Sequence, residues 1–376
     1  MICWFFIFMR QRDCMADYEM DGDDGNKDDV EIVGEAKKRN GLAVFREALD
    51  EFAKNRDQDV TVYSEVPKKC KVTTCYVGID EAGRGPVLGP MVYGIFAAVE
   101  DTDAISAKIK KGQSLAKIEE CPPVLIDSIK KLNDSKQINE KTRDEVFAQF
   151  SDLDHIVYGV KIISPTQISA KSYQRKKISL NEISHNAAIE LIQGLIDRGI
   201  VIGKVYVDTV GPMEKYQAKL EQLFPELKFK VDKKADSKYK PVSAASVCAK
   251  VMRDEALKKW TFGDNCNVKV AQNGWGSGYP GDEVTKKFLR ANIDPVFGFP
   301  NIVRDSWSTA SDLLEKRAVK IKWELDEDDA PVQKISKFFV KQPKTEDNTE
   351  NFPVSVLKPK AQFFSYRSLT QTTKLF

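Results

Sequence analysis

Histidine is nearly absent from the 376-residue chain: only His155 and His185 occur. The seven cysteines (3, 14, 70, 75, 121, 248 and 266) include no C-x-x-C pair. A Cys/His zinc site is therefore not expected, and so few cysteines do not make a disulfide scaffold; a reduced intracellular compartment fits best. Long apolar runs are missing too. Met1 to Met9 is apolar but too short to cross a bilayer, and it lacks both a basic n-region and a small-residue cleavage site. No membrane partner is expected, and residues 1–14 can equally be read as sequence upstream of a start at Met15. Charge of one sign is also lacking: 58 Lys and Arg against 56 Asp and Glu leave +2. That balance exerts no overall pull on a polyanion, so any such binding needs local positive charge.

What is present supports a real core. Hydrophobic residues make up 42% of the chain, with 20 Phe and 5 Trp, which excludes global disorder. The length allows two or three domains, or one large domain with tails. Residues 1–40 read as a disordered acidic arm, because between Asp13 and Glu31 nine acids face a single base, Lys27. Residues 41–72 read as a short helix and a linker. From 73 to 260 apolar runs alternate with amphipathic stretches. The pattern predicts strands at 73–80, 91–99, 156–163, 205–209 and 227–232, and helices at 138–150, 182–198, 213–223, 243–260 and 282–291. The first two strands read as a hairpin and the rest alternate with helices, so a mixed sheet in an α/β domain is expected. Residues 261–325 continue as a helical C-terminal part. The remainder, 326–376, is a polar tail with aromatic clusters at Phe338-Phe339 and Phe363-Phe364.

The most informative stretch is YVGIDEAGRGPVLGP, residues 76–90. An apolar strand delivers Asp80 and Glu81 before a glycine- and proline-rich turn. Neighbouring strand residues point to opposite faces, so both acids can meet only where the strand becomes irregular. Asp208 closes VYVD before another turn, and Asp236 follows LKFKVD in KKADSKYK. Carboxylates at several strand ends can form an oxygen cage for hard divalent cations, the arrangement used for two-metal phosphoryl chemistry. A lone aspartate at a strand end is more often a turn or cap residue; the pair Asp80-Glu81 in its glycine context is not. Residues 227–260 hold ten Lys or Arg against four acids, a local basic stripe suited to phosphate. Lys258 and Lys259 beside Trp260 are better read as a solvated helix face. The small-residue run SAASVCAK (243–250) reads as close helix–sheet packing.

These segments, with DSK (134–136), YVDTVG (206–211), SAASVCAKVMRD (243–254), GSGYP (276–280) and PVFGFP (295–300), resemble the type 2 ribonucleases H (ribonuclease HII), and most closely the eukaryotic catalytic-subunit branch of that family. The resemblance spans about 73–325. It implies a ribonuclease H-like mixed sheet flanked by helices, with a C-terminal helical extension. It also implies two Mg²⁺ or Mn²⁺ ions on Asp80, Glu81, Asp208 and Asp236, and cleavage of RNA in RNA/DNA hybrids and 5′ of single ribonucleotides in DNA. By the same likeness Gly83, Arg84 and Gly85 would read the 2′-hydroxyl, Tyr279 would stack at the RNA–DNA junction, and Lys136 and Asn181 would contact phosphates. Asp134, with Gln137 three residues on, reads instead as a helix cap. Subunits B and C of a nuclear heterotrimer are implied as partners, with roles in ribonucleotide excision repair and primer removal. In VQKISKFF, Ile335, Phe338 and Phe339 resemble a degenerate sliding-clamp box with Val332 in place of glutamine, and a free or subunit-docked tail fits that departure better. A ribonuclease HIII-type enzyme would share the acids, but that family carries Lys where this chain has Arg84.

Overall fold

The longest apolar run in the strand pattern, MVYGIFAAV, becomes β4 (Met91–Val99), with every side chain buried. A strand buried on both faces belongs at the centre of a covered sheet, and β4 lies there. The computed structural model describes residues 30–32, 41–114, 123–124, 139–262, 268–272 and 274–320. All belong to the first of two units into which the chain divides, Met1–Ile321. Asp134, Lys136 and Gln137, and the tail positions Val332, Ile335, Phe338, Phe339, Phe363 and Phe364, lie outside the described residues.

β4 pairs antiparallel with β3 (Cys75–Ala82) and with β5 (Ile156–Ile163). β3 then pairs parallel with β6 (Ile202–Asp208), and β6 with β7 (Lys228–Asp232). At the other edge β5 takes β2 (Val60–Tyr63) antiparallel, and β2 takes β1 (Val30–Ile32) parallel. The seven-stranded order is β1-β2-β5-β4-β3-β6-β7, a mixed sheet with the expected β3–β4 hairpin. The linker expected within 41–72 is thus partly a strand of the sheet, and β1 lies within the arm expected to be disordered. Both strands are too short for their own alternation to declare them.

The helices are α1 (Gly41–Lys54), α2 (Lys68–Val72), α3 (Thr102–Lys110), α4 (Glu140–Phe150), α5 (Pro165–Tyr173), α6 (Leu180–Asp197), α7 (Met213–Leu223), α8 (Lys240–Lys258), α9 (Glu283–Ala291) and α10 (Ser308–Arg317). One core joins the sheet to α1, α4, α8, α9 and α10; the other joins it to α6 and α7. Among the described residues no helix is long and apolar enough to cross a membrane.

Helix α8 lies on the sheet at backbone distance, as its small residues predict. A Cβ on Gly78 would sit 2.1 Å from the Pro241 carbonyl carbon, and one on Gly94 2.3 Å from the Ala245 oxygen. Lys258 pairs with Glu140 and Glu255 at 2.7 Å, and Lys259 with Asp50 at 2.6 Å. These exposed pairs are the solvated face expected of them.

Candidate active site

Asp80 and Glu81 sit near the end of β3, but in a ladder that remains regular. Pairing to β4 continues through Ala82↔Val92, so the two acids point to opposite faces of the sheet. The irregularity expected beside them is absent from this ladder. Parallel pairing of β3 to β6 ends at Ile79↔Val207, one residue before Asp80 and Asp208, while Asp208 remains paired with Asp232 of β7. Asp208, at the end of β6, is close enough for its charge to act on both acids.

The electrostatics reflect this crowding. Burial pushes the Asp80 carboxyl up to about 7; the Asp208 charge adds to the rise, while Ser246 and Lys250 on α8 oppose it. Burial pushes Glu81 up to about 8, helped by the charges of Asp80 and Asp208 and opposed by Arg84. Glu81 Oε2 is buried with no hydrogen-bond partner. Asp208 Oδ1 accepts the Ala235 amide at 2.8 Å, which ties the end of β6 to the 3₁₀ turn Ala235–Ser237 carrying Asp236. Tyr239 stacks on Tyr206 with centroids 4.4 Å apart and holds that turn down. Among the described residues, no three His, Cys, Asp or Glu side chains are close enough to enclose an ion as they stand. The donor set nevertheless suits a hard divalent cation. All donors are carboxylate oxygens, two carboxyls are raised by burial and like charge, and one buried oxygen has no partner.

A pH dependence follows. The folded protein holds protons on Asp80 and Glu81 that an unfolded chain would release near pH 4, so its stability falls as pH rises through the folded values. In EDTA the melting temperature should be several degrees lower at about pH 8.5 than at about pH 5.5, and Mg²⁺ should remove much of that difference. A melting temperature in EDTA independent of pH over this range would contradict the burial of these acids.

The turn after β3 lies beside the acids. Gly83 has φ 76°, and a Cβ there would meet Arg253 Nε at 2.1 Å, so only glycine fits. Arg84 hydrogen-bonds Asn181 Oδ1, and a Cβ on Gly211 would lie 2.8 Å from Asn181 Nδ2. Asn181 therefore links the turn after β3 to the turn after Asp208. One helical turn further along α6, His185 bonds the Val210 carbonyl at 3.0 Å and stacks on Tyr216 at 3.8 Å. A Cβ on Gly85 would lie 3.2 Å from Tyr279 Cε1, so the tyrosine ring covers the glycine. Gly83, Arg84, Gly85, Asn181 and Tyr279 are thereby gathered around the turn after β3, with Arg84 near enough to Glu81 for its charge to act there.

Sequence reasoning missed what holds that turn. Arg304 is fully buried, and its guanidinium donates to the carbonyls of Gly89 at 2.9 Å, Arg84 at 3.1 Å and Gly83 at 2.6 Å. The Trp307 indole donates to the Gly85 carbonyl at 3.0 Å, and Arg304 lies over its ring at 4.9 Å. Burial and the nearby Arg253 charge lower the Arg304 pKa to about 9, so it stays charged at neutral pH. With these carbonyls drawn inward, the turn is held in a single shape. Nothing local in NIVRDSW announces this, because an arginine reads as a surface residue.

Comparison with known proteins bears directly on this arrangement. The family model described as Ribonuclease HII matches residues 121–310, which include Asp208, Asp236, Tyr279 and Arg304. The A subunit of human ribonuclease H2 is 40% identical over 296 residues, covering 78% of this chain and 91% of that protein. The chain belongs to the ribonuclease HII family. It is accordingly a ribonuclease H. The corresponding subunit of ribonuclease H2 from Caenorhabditis elegans is 45% identical over 263 residues, covering 69% of this chain and 81% of its own length. The crystal structure of the ribonuclease H2 from Pyrococcus horikoshii OT3 aligns at 30% identity with a TM-score of 0.46, covering 65% of this chain and 98% of that one.

Proposed function

We propose that this ribonuclease H is the catalytic member of a heterotrimer with subunits B and C. It hydrolyses the RNA strand of RNA/DNA hybrids and incises duplex DNA 5′ of single embedded ribonucleotides. Its setting is the nucleus, in ribonucleotide excision repair and RNA primer removal. The observation that carries this reading is the adjacency of the Asp80–Glu81–Asp208 group to a glycine turn roofed by Tyr279.

Two Mg²⁺ or Mn²⁺ ions, held by Asp80, Glu81, Asp208 and Asp236, would supply activation of the attacking water and stabilisation of the leaving oxygen. The chain's own residues do the recognition. Gly83 and Gly85 let the backbone come close to a sugar, where the 2′-hydroxyl distinguishes RNA from DNA. Arg84 and Asn181 brace the turn, and Asn181 offers a polar group to the phosphates. Tyr279 presents an aromatic face to the deoxyribose that follows the junction. Lys136 would add a phosphate contact, and Ile335, Phe338 and Phe339 a weak clamp contact; these positions lie outside the described residues.

A uniform RNA/DNA hybrid tests the chemistry. In Mg²⁺ or Mn²⁺ its RNA strand should be cut to fragments with 3′-hydroxyl and 5′-phosphate ends, read by mass spectrometry, and EDTA should stop the reaction. Fragments ending in 2′,3′-cyclic phosphate would show that the 2′-hydroxyl, not water, is the nucleophile.

A further inference from the structure

The loop that presents Tyr279 is fastened by one carboxylate with two separable tasks. Asp282 Oδ1 accepts the Val284 amide at 2.9 Å and caps α9. Oδ2 turns back into the loop, where it accepts the Ser277 amide at 2.6 Å and the Ser277 hydroxyl at 2.8 Å. These donors, the Ser277 amide first, hold the Asp282 carboxyl down to about 2, so it stays charged across the neutral range.

Thr285, fully buried, extends the clamp. Its hydroxyl accepts the Gly278 amide at 3.0 Å and lies within donating reach of the Trp275 carbonyl at 3.1 Å and of Asp282 Oδ2 at 3.3 Å. On its other side the loop is bonded to the turn after β3, since the Gly278 carbonyl accepts from Val87 at 2.7 Å and Leu88 at 3.3 Å. Gly276 has φ 80°, and a Cβ there would lie 2.4 Å from Asp282 Oδ2. The stretch before Tyr279 is therefore shaped from both sides. Tyr279 itself is 53% exposed and has little packing to hold it.

We infer that Asp282, acting with Thr285, is the positioning residue for Tyr279: it fixes the ring over Gly85 and so sets the preference for a ribonucleotide–deoxyribonucleotide junction over a uniform hybrid. This inference rests on the reading of Tyr279 and the glycine turn proposed above. Neither Asp282 nor Thr285 needs to touch the substrate.

The two tasks of Asp282 can be parted by substitution. Asp282→Asn keeps an acceptor for the Val284 amide, so the helix cap survives, but its NH₂ group cannot accept from Ser277. Thr285→Val keeps the shape and loses the hydroxyl. Both are to be compared with wild type and Tyr279→Ala, as the full chain assembled with subunits B and C, on a duplex with one ribonucleotide and on a uniform hybrid. The ratio of the two rates should fall about tenfold in Asp282→Asn and Thr285→Val, as in Tyr279→Ala, while Asp282→Asn melts within about two degrees of wild type. An unchanged ratio in Tyr279→Ala would overturn the reading of Tyr279 itself. A ratio that shifts in Tyr279→Ala but in neither other variant would overturn the inference, as would equal losses on both substrates.

Discussion

Asp208→Asn should lower cleavage of either substrate on the order of 10³-fold or more while leaving the protein folded. Several kcal/mol of transition-state stabilisation depend on the carboxylates that hold the cations, and each 1.4 kcal/mol is about tenfold in rate. The asparagine keeps Oδ1 for the Ala235 amide, so the tie between β6 and the Asp236 turn remains. It removes one of the like charges acting on Asp80 and Glu81. In EDTA the variant should therefore melt at or above the wild-type temperature. Loss of activity with a raised melting temperature is the signature of a site built for ions rather than for stability. Activity near wild type would remove Asp208 from the site.

Arg304→Met is expected to have the second largest effect. Methionine fills much of the space and avoids burying a charge, but it strands the carbonyls of Gly83, Arg84 and Gly89. Offsetting the relieved burial against the unpaired acceptors leaves a net loss of about 3 kcal/mol, measurable by urea unfolding. The turn after β3 should lose its fixed shape, and a shift of about 1 Å in such a turn is worth about 10² in rate. Arg304→Lys keeps the charge but loses the planar fork that spans three carbonyls, so it should fall between wild type and methionine. Stability lost without activity lost would show that the turn holds its shape unaided.

The parts of this fold legible in the sequence are those whose signal is local. The β3–β4 hairpin declares itself through an apolar strand, a glycine–proline turn and a second apolar run. The small residues of α8 announce the close approach to Gly78 and Gly94. β2 is only four residues long, Val60–Tyr63, too short to distinguish from a linker. In the site, Asp80, Glu81 and the glycine turn are legible because they adjoin one another. Their relation to Asp208 is not, because it depends on where β3 and β6 part, a property of two segments far apart in the chain. Arg304, Trp307 and Thr285 are hidden for a related reason. Their partners are backbone carbonyls and amides, which every residue has, so no pairing of side-chain types points to them. Asp282 opens the helix expected at 282–291, but its clamp on Ser277 is invisible, since only one of its two oxygens serves the helix.

The most direct measurement is incision of a DNA duplex carrying one ribonucleotide by the full chain, alone and with subunits B and C, in Mg²⁺ and then in EDTA. The expected result is a single cut 5′ of the ribonucleotide in Mg²⁺ and none in EDTA. Cutting of a uniform hybrid under the same conditions, with the single-ribonucleotide duplex left intact, would contradict the roles given to the glycine turn and Tyr279.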